Sequence, residues 1–410
     1  MSKPGGRFGA PLQADKPLMA MALGITLFVA SLIALLDSFG VELSFVSFKG
    51  EMILAFVGIG LFLWGFRRYM GRDMQSGDRE PAAAIKLELK KRGPRIVVIG
   101  GGTGLSVLLK GLKEYSHNLT AVVTVTDDGG SSGRIREMGL LPPGDIRRCL
   151  VALAQTETLM DQVFQHRFQE GDGIAGHNLG NLLIAALTNI TGDFVGAIKE
   201  VSKVLAVQGQ VLPATAELVT LGATMDDDTV VMGETSITGA SKAVREVFLV
   251  PPDCQVVPEA LQAIEEAEVI ILGPGSLYTS IIPNLLVPEI GNAIRSTRAV
   301  TIFVANIMTQ PGETTGYSVS DHLDAVSQHI GAGYIDYVVV NDAPIDEERL
   351  SRYRQEDSEP VRFNSAELAA RGIKLVCESL LGKEEVAWHD PEALARTIMR
   401  IVYRERGLAV

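Results

Sequence analysis

Three observations in this sequence predict an α/β fold. The expectation is a Rossmann-like three-layer domain with a mainly parallel sheet, preceded by a two-helix transmembrane hairpin. First, short β-branched runs recur at 96–99, 119–126, 268–272, 299–305 and 337–340. Each is followed by a polar or glycine-rich loop, as strands of an open α/β sheet are. Second, segments between them carry apolar residues at helical spacing, so the strands pair in parallel through crossovers. Third, the first 72 residues contain two long uncharged stretches of a different character from the rest.

Pro17–Leu36 has 20 residues without a charge, enough to span a bilayer. Met52–Phe66 adds 15 more and can extend to residue 68 by snorkelling Arg67 and Arg68. Lys3, Arg7 and Lys16 precede the first run, and Arg67, Arg68 and Arg72 follow the second. The positive-inside rule then predicts helices over about 17–36 and 52–68 with both ends cytoplasmic. The expected arrangement is an anchor at 1–72, a polar linker at 73–94 and the α/β domain at 95–410. Its expected location is the bacterial inner membrane, with the main domain in the cytoplasm. Residues 1–72 carry a net +3, so the rest holds −15 of the total −12. A domain that acidic argues against general nucleic-acid binding. Cys149, Cys254 and Cys377 lie far apart without a Cys-x-x-Cys pair, which predicts reduced core thiols and no zinc site.

The hub is Arg95–Gly104. Ile96–Ile99 suits a strand buried on both faces. Gly101, Gly102, Thr103 and Gly104 then open a helix carrying Leu105, Leu108, Leu109 and Leu112. Bare backbone N–H groups and the helix dipole favour an anion at such a corner. The third glycine of G-x-G-x-x-G is replaced by Leu105, which counts against a dinucleotide cofactor.

The second strand, 119–126, leads into Asp127, Asp128, Ser131 and Ser132, read as a polar loop at the ligand-binding edge. Asp127 lies 23 residues beyond Gly104, where an acid can hold ribose hydroxyls. Asp145 can cap the helix that follows, and Arg147 or Arg148 in its first turn would oppose the dipole unless an acidic ligand compensates. His177, Asn178 and Asn181 open the next helix, with His177 and Asn181 on one face, and are read as ligand contacts. A hairpin at 217–234 turns at Asp226–Asp228, and that insert is expected to decorate a sheet edge. The strand 268–272 ends in Gly273, Gly275, Ser276, Tyr278 and Thr279, a second glycine turn rich in donors. The strand 299–305 ends at Asn306, and 337–340 at Asn341 and Asp342. Amphipathic helices are expected at 321–330 and 391–405.

Six segments together resemble the YvcK branch of the YvcK/CofD-like proteins, also called the gluconeogenesis factor family. They are residues 99–105, 126–134, 142–147, 176–181, 272–280 and 308–314. The resemblance implies a Rossmann-like core that binds UDP-sugars, UDP-N-acetylglucosamine in particular. It implies regulation of cell shape and envelope synthesis during gluconeogenic growth, through an unidentified envelope-synthesis partner. It ties the tyrosine of Leu-Tyr-Thr-Ser, here Tyr278, to the ligand. It implies no required cofactor, with Mg²⁺ able to accompany the nucleotide, and leaves a homodimer open. The hairpin departs from the soluble members of the branch.

No catalytic residue is nominated, because no nucleophile–base pair stands out from spacing. A CofD-like transferase, moving a phospholactyl-type group from a guanylylated donor to a deazaflavin, is the alternative. In it Asp127 and Asp128 would hold Mg²⁺. An NAD-linked oxidoreductase is a third reading, disfavoured by Leu105.

Overall fold

The computed structural model describes residues 90, 93–155, 159–240 and 242–407. The two expected membrane helices, and nearly all of the linker, lie outside these residues. Among the described residues no helix is long and apolar enough to cross a membrane.

Seven strands form one parallel sheet: β1 (Ile96–Gly100), β2 (Leu119–Val123), β3 (Gln210–Pro213), β7 (Val269–Leu272), β8 (Val300–Val304), β9 (Tyr337–Asn341) and β10 (Lys374–Glu378). Their order is β10-β9-β8-β7-β1-β2-β3. The central strands read as unbroken apolar runs because helices cover both faces. Every residue of β1 and of β7 is buried. β3 and β10, at the two edges, escaped the sequence reading. Gln210–Pro213 is only four residues long, and β10 is half-buried rather than a continuous apolar run.

The remaining strands, β4 (Thr220–Met225), β5 (Val230–Met232) and β6 (Val244–Val250), make a small antiparallel sheet in the order β5-β4-β6. The expected hairpin is present, turning at Asp226–Asp228. The insert is more than an edge decoration, since the helix Glu234–Thr238 at its end reaches the cavity described below. A second correction concerns 130–137. Its glycines and serines suggested a loop, yet Gly130–Glu137 is a helix. Ile135, fully buried, anchors it.

The helix Gly102–Leu112 packs under the C-terminal helix Pro391–Glu405. Gly111 permits that crossing. A Cβ there would come within 2.0 Å of the Pro391 carbonyl oxygen and 2.7 Å of the Ala395 Cβ. A glycine inside a helix costs about 1 kcal/mol of propensity, which the close approach of two buried faces offsets.

Sheet register places the site. Ile99 lies opposite Val122 on one side and Leu272 on the other. The chain therefore leaves β1 and β7 at the same level, side by side. After β1 the order runs toward β3, and after β7 it runs toward β10. The two connections diverge, opening a crevice at the carboxyl edge. That is the switch point where open α/β sheets take ligands.

Candidate ligand-binding site

The two glycine corners touch. A Cβ on Gly104 would meet the Pro274 carbonyl oxygen at 2.7 Å, and one on Gly275 would meet the Gly101 carbonyl oxygen at 3.2 Å. Asn306, at the end of β8, clamps the second corner from the far side. Its Nδ2 donates to the Gly275 carbonyl at 2.9 Å, and its Oδ1 accepts from the Gly275 N–H at 3.3 Å. Gln310 Nε2 donates to Ser276 Oγ at 2.7 Å. From below, Asn284 Nδ2 donates to the carbonyls of Gly100 at 3.2 Å and Ser280 at 2.8 Å.

These corners bound a cavity of about 530 Å³. Of the residues nominated from sequence, Gly101, Gly102, Thr103, Gly104, Asp145, Gly275, Ser276 and Asn306 line it. The arrangement is pre-formed, because main-chain and amide hydrogen bonds hold each corner before any ligand arrives.

The helix N-terminus is not bare, however. Asp145 does not cap its own helix, whose N-cap is Pro143; its Oδ2 instead accepts the Gly102 N–H at 2.7 Å, so a carboxylate from a neighbouring helix already sits at the anion position. Asp145 Oδ1 is held by Arg148 Nη2. Arg148, not Arg147, is the arginine that lines the cavity. Asp145 and Arg148 are three apart on one helix and so share a face, the signal that could have singled out Arg148. Arg147 turns the other way. Its Nε donates to Asn181 Oδ1 at 2.9 Å and its Nη1 to the Phe164 carbonyl at 3.3 Å. Burial first, then the charge on Arg148, draws its guanidinium down to about 10.

Carboxylates crowd this end of the cleft. Glu234 also lines the cavity, and burial, followed by the charges of Asp145 and Asp127, pushes it up to about 9. Asp127 stands beside Asp145 without lining the cavity. Burial raises its carboxyl above the ordinary value, against the Gly129 N–H it accepts at 3.0 Å. Asp128 is engaged elsewhere. Its Oδ1 accepts the Thr235 N–H at 2.9 Å and Oγ1–H at 2.6 Å, tying the small sheet's helix to the main domain. Among the described residues, no group of three or more His, Cys, Asp or Glu side chains is placed to hold a metal ion.

The His-Asn-Leu-Gly-Asn motif serves architecture. Ser131 Oγ meets His177 Nδ1 at 3.2 Å, the Asn178 N–H at 3.1 Å and Asn181 Nδ2 at 3.2 Å. Asn178 Oδ1 caps the helix Leu179–Thr191 through the Asn181 N–H at 3.1 Å. All four side chains are buried. The shared face of His177 and Asn181 exists, and Ser131 lies on it. Ser132 is buried beside Asp127 and Gly144.

Tyr278 and Thr279 are buried in a π-helical turn, Leu277–Ile281, just past the second corner. The Tyr278 hydroxyl lies 2.9 Å from that of Tyr317. Glu313 accepts the Tyr278 N–H at 3.3 Å and the Thr279 hydroxyl at 3.1 Å. Tyr278 thus supports the wall from behind. Gly273, with φ +80°, makes the bend that starts this corner. The other wall comes from residues the sequence reading missed: Tyr353, Ala387, Trp388 and His389. They belong to C-terminal segments whose local pattern carries no glycine or acidic signal. Only the fold brings them over the rim.

A doubly wound parallel sheet with a glycine-walled crevice at its switch point defines a Rossmann-like α/β protein. Residues 96–381 match the family described as 2-phospho-L-lactate transferase CofD. The gluconeogenesis factor of Halalkalibacterium halodurans is 48% identical over 313 residues, covering 76% of this chain and 97% of that protein. The gluconeogenesis factor of Bacillus subtilis is 48% identical over 311 residues, covering 75% and 98%. The crystal structure of protein BH3568 from Bacillus halodurans aligns with a TM-score of 0.73 at 48% identity, covering 75% of this chain and 99% of that one. A second crystal structure of that protein describes it as a member of the UPF0052 family, with a TM-score of 0.72. The chain belongs to the CofD/YvcK family.

Proposed function

We propose that the domain binds a nucleotide sugar, UDP-N-acetylglucosamine, in the switch-point cleft and acts as a regulator rather than an enzyme. One observation carries the reading. The corners after β1 and β7, far apart in sequence, close on the same cavity with their backbones pre-positioned by Asn284 and Asn306. In this reading the glycine corners, Ser276 and Arg148 meet the diphosphate, and Asp145 accepts from the ligand or yields its place at the Gly102 N–H. Asp127 and Glu234 add negative charge close by, so Mg²⁺ arriving with the nucleotide would offset the repulsion. Two similar proteins are named gluconeogenesis factor, which supports a role in gluconeogenic growth; the resemblance of the six motifs extends that role to cell shape and envelope synthesis. The uncharged runs at 17–36 and 52–66, flanked by basic residues, support anchoring at the cytoplasmic membrane.

Isothermal titration with UDP-N-acetylglucosamine tests the ligand, with NADH as the comparison. Heat with the nucleotide sugar alone is expected, and heat with NADH alone overturns the reading. Fractionating cells that express the full chain tests the anchor. The α/β domain should sediment with membranes and be released when residues 1–72 are deleted.

The family description favours one other reading, a transferase of the CofD type. Turnover of a deazaflavin acceptor with a guanylylated donor would establish it and displace the regulatory one.

A further inference from the structure

The helix Leu179–Thr191 takes its main contacts from other helices, above all Leu159–Gln165 and Phe194–Val204, rather than from the sheet. Its inner face, Gly180, Asn181, Ile184 and Ala185, is buried. On its other side Leu179, Leu182, Leu183, Ala186, Leu187 and Ile190 recur at helical spacing, and each is half-buried or exposed. The helix is therefore apolar both inward and outward. The Asn178 cap and the Ser131 knot hold its N-terminal end, so the outer stripe is fixed in place.

A surface helix ordinarily turns charge toward water. Leu179–Thr191 contains no charged residue, and its neighbour Leu159–Gln165 contains one, Asp161, which is only 6% exposed. Ile190, at 78%, and Leu159, at 74%, are the most exposed large hydrophobic side chains among the described residues. The exposed polar side chains on the two helices include Gln162, Gln165 and Asn189, all of them neutral. Charge returns on the flanking elements, at Arg167 and Glu170 in the connecting loop and at Lys199 and Glu200 on Phe194–Val204. Single exposed hydrophobics need no explanation, but two packed helices that both present apolar, uncharged surface mark an interaction face.

Charge decides what covers it. The domain is strongly acidic, so an anionic lipid surface repels it. Two copies of the domain also repel one another wherever they meet through charged surface. A two-fold interface sets each patch against itself, so every charge on it faces its own kind. Only a face that has shed its charge escapes that penalty. Amide side chains both donate and accept hydrogen bonds, so Gln162, Gln165 and Asn189 can pair with their own copies. An apolar centre with a neutral polar surround is the composition of a protein interface. Two helices present a modest area, which fits a reversible dimer rather than an obligate one.

We propose that the outer face of Leu159–Gln165 and Leu179–Thr191 is the site at which a second copy of this chain docks, as a two-fold dimer centred on Ala186, Leu187 and Ile190. The inference is independent of the ligand reading.

The test has two arms, both on the full chain. Ala186→Cys and Ile190→Cys are oxidised with copper phenanthroline and should give a disulfide-linked dimer. Val230→Cys, 60% exposed on the small sheet, is the control and should give none. Cys149 and Cys254 are buried and Cys377 is half-buried, so wild type sets the baseline. In the second arm, sedimentation velocity compares wild type with Leu159→Glu/Ile190→Glu. A symmetric pair of this variant would bury four carboxylates, so self-association should weaken at least about 100-fold. Its melting transition should stay close to that of wild type, since both positions face solvent in the single copy. Equal cross-linking at position 230, a wild type that sediments as one copy at every concentration, or a folded double variant that dimerises like wild type overturns the proposal. Should the double variant fail to fold, the cross-linking arm still decides.

Discussion

The rim formed by the corners of β1, β7 and β8 and the knot around Ser131 are built from equally dense polar motifs. They use their hydrogen-bonding groups in opposite ways. At the rim, amides such as Asn306 and Asn284 bond backbone and thereby hold a cavity open. In the knot, His177, Asn178 and Asn181 converge on one hydroxyl and leave no space. A glycine-and-polar motif therefore marks a demanding local geometry. Whether a ligand or a neighbouring helix meets that demand depends on what the fold places opposite.

The contrast can be broken by mutation. The largest effect is expected at Gly104. Its missing Cβ lets the two corners touch, and Gly104→Val would force them apart against the Pro274 backbone. Binding of UDP-N-acetylglucosamine should fall at least 100-fold, and overpacking should cost about 1–3 kcal/mol in urea unfolding. Retained affinity would mean that the corners need not meet.

The knot should respond the other way. Ser131→Ala strands three buried polar partners, and a loss of about 2–3 kcal/mol is expected. Affinity per folded molecule should barely change. A large loss of affinity with normal stability would instead return the knot to the ligand site.

Glu234 sharpens the electrostatic side of the comparison. Its folded value, raised to about 9, exceeds the ordinary 4.5, so the folded state holds a proton that the unfolded chain releases. Its contribution therefore favours folding least at high pH: stability declines as pH climbs from about 4.5 toward about 9. Glu234→Gln should flatten that slope. Since the group is half-buried at the cavity wall, a gain of about 1–2 kcal/mol at pH 8 is expected. A steeper slope in the variant would refute the assignment.

The smallest effect is expected behind the wall. Tyr278→Phe removes only the bond to the Tyr317 hydroxyl and should cost about 1 kcal/mol. Affinity should stay within about twofold. A tenfold loss would place the Tyr278 hydroxyl in direct contact with the ligand.

Strand existence was legible wherever burial on two faces demanded a continuous β-branched run, as at Ile96–Ile99 and Val269–Leu272. The edge strands β3 and β10 were not, since one open side relaxes that demand. Adjacent arginines are equivalent in a string, so the sequence leaves Arg147 and Arg148 as alternatives. On a helix they point about 100° apart, and only Arg148 shares the Asp145 face.

The sequence by itself determined the alternating α/β pattern, the two glycine corners and the acidic balance of the domain. These follow from local rules, namely which residues tolerate burial, tight turns and helix ends. The tertiary structure alone decided which corners meet, that Asp145 fills the first helix's anion position, and that residues 387–389 close the opposite wall. Those outcomes depend on strand order and register, which are set by packing across the whole sheet rather than by any one stretch of chain.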